Sequence, residues 1–127
     1  MIATHLADAT ALAQLSRTDV AARLVSLVVG GAVATCRIID LEVLQAFEGD
    51  ERAEAAVERS MFPRVAVDDA VQDRAVEVQG LVARRVPIVT LLVAAAAERA
   101  ELVLLHDDDA YDVIAAVTGQ PVERVVP

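Results

Sequence analysis

The chain has no lysine and no tryptophan, a single cysteine, and only two phenylalanines and one tyrosine among 127 residues. Each shortage excludes something. Cys36 alone cannot form an internal disulfide, which fits a reducing compartment such as the cytoplasm. In the run Ala32-Val-Ala-Thr-Cys36 it reads as a small buried apolar residue. No apolar run reaches the roughly 18–20 residues that a membrane helix needs. The opening Met1-Ile-Ala-Thr-His-Leu lacks the basic segment of a secretory signal, so the expectation is a soluble cytoplasmic protein with no membrane contact. Basic charge is also in deficit, with eleven arginines against twenty acids and a net charge of −9. That balance excludes a protein that holds nucleic acid mainly by neutralising phosphates, which needs a net basic face. It does not exclude a nuclease whose metal ions bring the positive charge.

With aromatics at 2% and hydrophobic residues at 56%, the core has to be built from Val, Leu, Ile and Ala. Such a core suits buried parallel strands covered by helices better than a half-wet β-sandwich. The length fits one compact domain, 1–127. Along the chain, residues 2–7 read as a first strand ending at Asp8, with Thr10 as cap of a short helix to Leu15. Residues 19–29 have helical spacing and stop at Gly30-Gly31. A second strand covers 32–36, a helix 38–47 with Ile38, Leu41 and Leu44 inward, and a polar helix 51–59. Pro63 precedes a brief strand, 64–67. Asp68 caps a long amphipathic helix to Arg85, followed by an apolar helix 89–99, a strand 101–105, a helix 110–117 and a last strand 122–126. Strands alternating with helices imply right-handed crossovers. The expected fold is α/β in three layers, around a central, mostly parallel sheet of four or five strands.

In open parallel sheets, sites gather beyond the carboxyl ends of the strands, and acids fall there. Asp8 follows the first strand, and Glu42 lies in the helix after the second. Asp107, Asp108 and Asp109 follow Leu104-Leu-His, with Asp112 close behind. Carboxylates converging from separate elements suit Mg²⁺ or Mn²⁺, hard cations that take oxygen ligands and keep several waters. Acids at strand ends also serve as solvated turns, so spacing alone leaves both readings open. His106 reads as a packed histidine or a proton shuttle, Asp40 as a solvated or a functional acid. Arg84-Arg85 reads as a basic helix end or a contact for RNA phosphate.

Four blocks in order resemble PIN-domain ribonucleases of the VapC toxin type over nearly the whole length. Leu6-Ala-Asp-Ala-Thr-Ala-Leu12 is similar to the family's hydrophobic strand followed by Asp, a small residue, a hydroxyl residue and Ala-Leu. Cys36-Arg-Ile-Ile-Asp-Leu-Glu-Val-Leu44 resembles the second block. Asp73 to Arg85 is similar to the long helix before the third, and Leu104 to Pro121 resembles the fourth. The resemblance implies metal-ligating, catalytic roles for Asp8, Glu42 and Asp108, with Thr10 supporting Asp8. It implies a Mg²⁺- or Mn²⁺-dependent endoribonuclease, the toxin of a toxin–antitoxin pair. It also implies a homodimer and a small cognate antitoxin whose C-terminal segment blocks the site.

Two positions depart from the pattern. In Val86-Pro-Ile-Val-Thr-Leu-Leu-Val-Ala-Ala95, Thr90 stands where the family places an Asp, and Ala110 occupies the place of a further acid. Asp109 and Asp112 lie beside that gap as supporting residues. These departures keep a second reading open, a catalytically weakened PIN domain that binds antitoxin or RNA without cutting.

Overall fold

Strand residues that alternate between two apolar clusters define a layered fold. The computed structural model describes residues 2–127. Its elements are β1 (His5–Ala7), α1 (Ala9–Leu12), α2 (Thr18–Val29), β2 (Val33–Ala34), α3 (Arg37–Leu44), α4 (Gly49–Ser60), α5 (Asp69–Gln79), α6 (Ile88–Arg99), β3 (Val103–His106), α7 (Asp109–Thr118) and β4 (Val122–Arg124). The strands form a four-stranded sheet in the order β2-β1-β3-β4, and every pairing is parallel. Leu6, Ala34 and Leu104 join one cluster with residues of α3, α5, α6 and α7. Ala7, Val33 and Leu105 join the other with Ala11, Val20 and Leu24 of α1 and α2. Successive side chains point to opposite faces of a strand, so the sheet is covered on both sides, as its aliphatic composition requires. Among the described residues, no helix is long and apolar enough to cross a membrane.

Helix α6 carries the central packing. Its residues from Leu91 to Ala97 are buried except Leu92, and four successive alanines, Ala94–Ala97, let its neighbours approach closely. Other elements differ from the sequence expectations. The strand expected at 64–67 is a single parallel bridge, Thr35 to Arg64. The helix expected to reach Arg85 ends at Gln79, with Gly80 as its cap, because glycine is a poor helix former. Thr10 does not cap α1; Asp8 does, accepting from the Thr10 N–H. Helix α3 turns Ile39 and Asp40 inward and leaves Leu41 65% exposed.

The rotation of α3 has an electrostatic cause. Asp40 is buried and accepts from Arg59 Nε at 3.0 Å and from Thr35 Oγ1 at 2.8 Å. Arg59 Nη2 in turn donates to Thr35 Oγ1 at 2.7 Å, and the Arg59 guanidinium lies 4.8 Å from the centre of the Phe62 ring. Arg37 approaches the second Asp40 oxygen at 3.4 Å from the solvent side. With Thr35, the pair joins the end of β2 to α3 and α4 and answers the open question about Asp40: its role is structural. Removing one partner of a buried pair strands the other charge, at a cost of about 3–5 kcal/mol. Arg59→Ala should therefore lower the unfolding free energy by about that amount in a denaturant titration. A loss below about 1 kcal/mol would show that water reaches Asp40 freely.

Candidate active site

Strands β1 and β3 are neighbours, and both end in acids at the same sheet edge. Asp8 leaves β1 in an extended conformation and caps α1. It is only 2% exposed, so its charge must be met by donors. Oδ2 accepts from the Thr10 N–H at 3.0 Å and from Thr10 Oγ1 at 2.6 Å. Oδ1 accepts from the Tyr111 hydroxyl at 2.8 Å. A carboxylate offers about four lone-pair sites; three are taken, and one on Oδ1 stays open. The Thr10 hydroxyl also accepts from the Asp107 N–H at 3.0 Å, tying α1 to the loop after β3.

Asp108 caps α7, where its Oδ1 accepts from the Ala110 N–H at 2.9 Å. Its own N–H donates to His106 Nδ1 at 3.1 Å. His106 closes β3 fully buried, its ring 5.3 Å from the Tyr111 ring and tilted by 48°. With Nδ1 accepting, the proton of the neutral ring sits on Nε2. Nε2 lies 3.2 Å from Asp112 Oδ1 but too far off line for a hydrogen bond. This is a packed histidine.

The rest of the acidic run is bridged by one side chain that sequence reasoning missed. Arg124 of β4 donates through Nη1 to Asp107 at 3.3 Å and through Nη2 to Asp112 at 2.7 Å and to Asp109. Asp109 and Asp112, expected as supporting residues, thus face Arg124. Thr90 is buried in the first turn of α6, and Ala110 is buried in that of α7. Cys36 is fully buried, and burial pushes its thiol above the ordinary range.

Glu42 lies on α3 with its side chain reaching solvent. Partial burial, and then the charge of Asp8, hold its carboxyl above the ordinary range. Tyr111 registers the same convergence. Burial comes first, then the Asp8 charge and the hydrogen bond to it, then Glu42 and Asp108, and together they raise its phenol far above the ordinary value. The charges of Asp8, Glu42 and Asp108 are thus all felt at the Tyr111 hydroxyl. Among the described residues, no three His, Cys, Asp or Glu side chains are drawn together tightly enough to form a ready metal cage. A hard cation such as Mg²⁺ does not need one, since it is usually held by one or two carboxylates plus waters. The donor chemistry fits such an ion: oxygen ligands only, an open lone pair on Asp8, Asp108 in the turn after the neighbouring strand, and a solvent-reaching Glu42.

The Glu42 shift fixes a sign. An acid raised in the folded state contributes stability that is present below its unfolded value and is lost as pH rises through its folded value. Glu42→Gln should therefore raise the melting temperature of the metal-free protein at neutral pH and leave it nearly unchanged in acid. Melting curves from about pH 4 to about pH 7.5 test this. A difference that does not vary with pH would mean that the Glu42 carboxyl is as well solvated in the fold as in the unfolded chain.

No protein-family model matches the chain. Among curated proteins, it is 39% identical over 134 residues to Ribonuclease VapC51 of Mycobacterium tuberculosis, covering 100% of this chain and 96% of that protein. It is 34% identical over 128 residues to Ribonuclease VapC18 of the same species, covering 94% and 93%. Among solved structures, DNA-bound VapBC from Salmonella typhimurium matches with a TM-score of 0.75 at 15% identity, over 97% of this chain and 98% of that one. At that identity the likeness speaks for the fold. Identity at this level from end to end, on a parallel sheet whose central strands run into Asp8 and into the Asp107–Asp108 turn, makes the chain a member of the VapC family of PIN-domain ribonucleases.

Proposed function

We propose that this protein is the toxin of a toxin–antitoxin pair, an endoribonuclease that cleaves RNA phosphodiesters with Mg²⁺ or Mn²⁺ held by Asp8, Glu42 and Asp108. The observation that carries this reading is that the adjacent parallel strands β1 and β3 are followed, at the same end, by Asp8 and by the Asp107–Asp108 turn, in a chain 39% identical throughout to a named ribonuclease. A bound divalent ion would supply an activated water and charge stabilisation for the cleaved phosphodiester. The protein's own part is orientation. Thr10 and Tyr111 fix the Asp8 carboxylate, the N-cap bond fixes Asp108, and Glu42 approaches from the solvent side. We place the activity in the cytoplasm, where the lone Cys36 stays reduced. A small antitoxin and a second copy of the chain are the proposed protein partners. The exposed Val25, Val28 and Val29 of α2 support a protein-binding face.

Expression in a bacterial host should arrest growth, and Asp8→Ala should relieve the arrest and lower RNA cleavage by about a hundredfold or more. Undiminished toxicity in that variant would count heavily against the nuclease reading.

A second reading, a weakened PIN domain that binds antitoxin or RNA without cutting, is favoured by the neutral Thr90 and Ala110. Saturable Mn²⁺ binding below millimolar concentration in calorimetry separates the two, since a spent site should show none. Thr90→Asp sharpens the comparison. An added carboxylate strengthens attraction for the cation and repulsion in the metal-free site. It should tighten Mn²⁺ binding about tenfold and raise cleavage, while lowering the metal-free melting temperature. Unchanged affinity would show that position 90 does not face the carboxylates.

A further inference from the structure

Tyr111 is the only tyrosine of the chain and is 2% exposed on the inner face of α7. Its ring packs against His106, and packing alone would be served by phenylalanine. The hydroxyl is what needs a reason. It reaches out of α7 to Oδ1 of Asp8, a residue more than 100 positions away in the chain. That oxygen is the one on Asp8 that still has an open lone pair, because both sites on Oδ2 are filled by Thr10. The phenol keeps its proton in this surrounding, since burial and the nearby carboxylates disfavour its ionised form. Toward the Asp8 carboxylate it is therefore the donor.

We propose that Tyr111 is a positioning residue that stands in for the divalent cation at Asp8 while the site is empty, and that cation binding weakens its hydrogen bond. The inference rests on the metal-dependent reading above. A hydrogen bond to a carboxylate is strongest when the carboxylate carries its full charge. A cation arriving on the open Oδ1 lone pair shares that charge, so the phenol bond loses strength without being broken. The hydroxyl thus stabilises the metal-free protein more than the loaded one, and by linkage it lowers cation affinity. It also holds Asp8 in one orientation, so that the carboxylate presents a single lone pair to the ion.

The sole tyrosine, in a chain without tryptophan, is its own probe. In the full-length protein, Mg²⁺ titration should shift the ultraviolet absorbance of Tyr111 to saturation, and Asp8→Asn should abolish the shift. Tyr111→Phe should bind Mn²⁺ roughly fivefold tighter in calorimetry, a part of what one hydrogen bond to a charged group contributes. Its metal-free melting temperature should fall. Equal or weaker Mn²⁺ affinity in Tyr111→Phe, or saturable Mg²⁺ binding that leaves the tyrosine spectrum unchanged, overturns the proposal and leaves the metal site standing. Absence of saturable binding in both proteins overturns the metal reading and this proposal together. Should Tyr111→Phe fail to fold, the wild-type Mg²⁺ titration decides alone.

Discussion

A carboxylate withdrawn from water has to be surrounded by donors, and at Asp8 that requirement links the strands to the helices beyond them. The side chain takes bonds from Thr10 in α1 and from Tyr111 in α7. The backbone N–H donates to Leu105 of β3 at 3.0 Å, and the carbonyl accepts from Ala11 and Leu12. One residue thus fastens β1, β3, α1 and α7 at the same sheet edge. Hydrogen bonds to a charged group contribute about 1.5–3 kcal/mol each, and a buried anion stripped of them would cost several. The geometry that orients Asp8 for chemistry is therefore the geometry that makes its burial tolerable.

The four acids between 107 and 112 divide their work in the same economical way. Asp108 caps α7. Asp107, Asp109 and Asp112 share Arg124, which comes from the last strand. Arginine suits this better than lysine, because a planar fork presents several donors in fixed directions. Without Arg124, three carboxylates would stand close together after β3 with no cation among them. A chain with a net charge of −9 can keep an acidic site only by assigning its few cations to particular acids. Arg59 does the same for Asp40 in the interior.

Layering and the parallel sense of the sheet were legible because they follow from composition and period. Few aromatics, many valines and alanines, and apolar runs separated by helical stretches leave a parallel sheet covered on both faces. The failures came where a single contact outweighed the local pattern. The periodicity of 38–47 put Leu41 inside, yet α3 rotated to give Asp40 to Arg59. The apolar stretch 64–67 reads as a strand, but only one bridge forms, because Thr35 alone offers it a partner at the sheet margin. The helix before Arg85 lost its last turn and more at Gly80, a stop that the apolar stripe obscured.

For the site, local chemistry was readable and long-range pairing was not. An Asp followed two residues later by a hydroxyl, after a short apolar run, is a self-contained unit, and Thr10 bonds Asp8 as that spacing allows. Asp108 as a cap is equally local, although the sequence reading took it only for a ligand. Tyr111 and Arg124 act on acids from which they are separated by 103 and between 12 and 17 positions. No periodicity encodes that. The one available hint was scarcity. In a core built almost wholly of aliphatic side chains, a lone tyrosine brings a hydroxyl that the core must satisfy. The nearest reason to keep a buried phenol is an acceptor worth bonding, and in this fold that acceptor is the carboxylate on which the proposed chemistry turns.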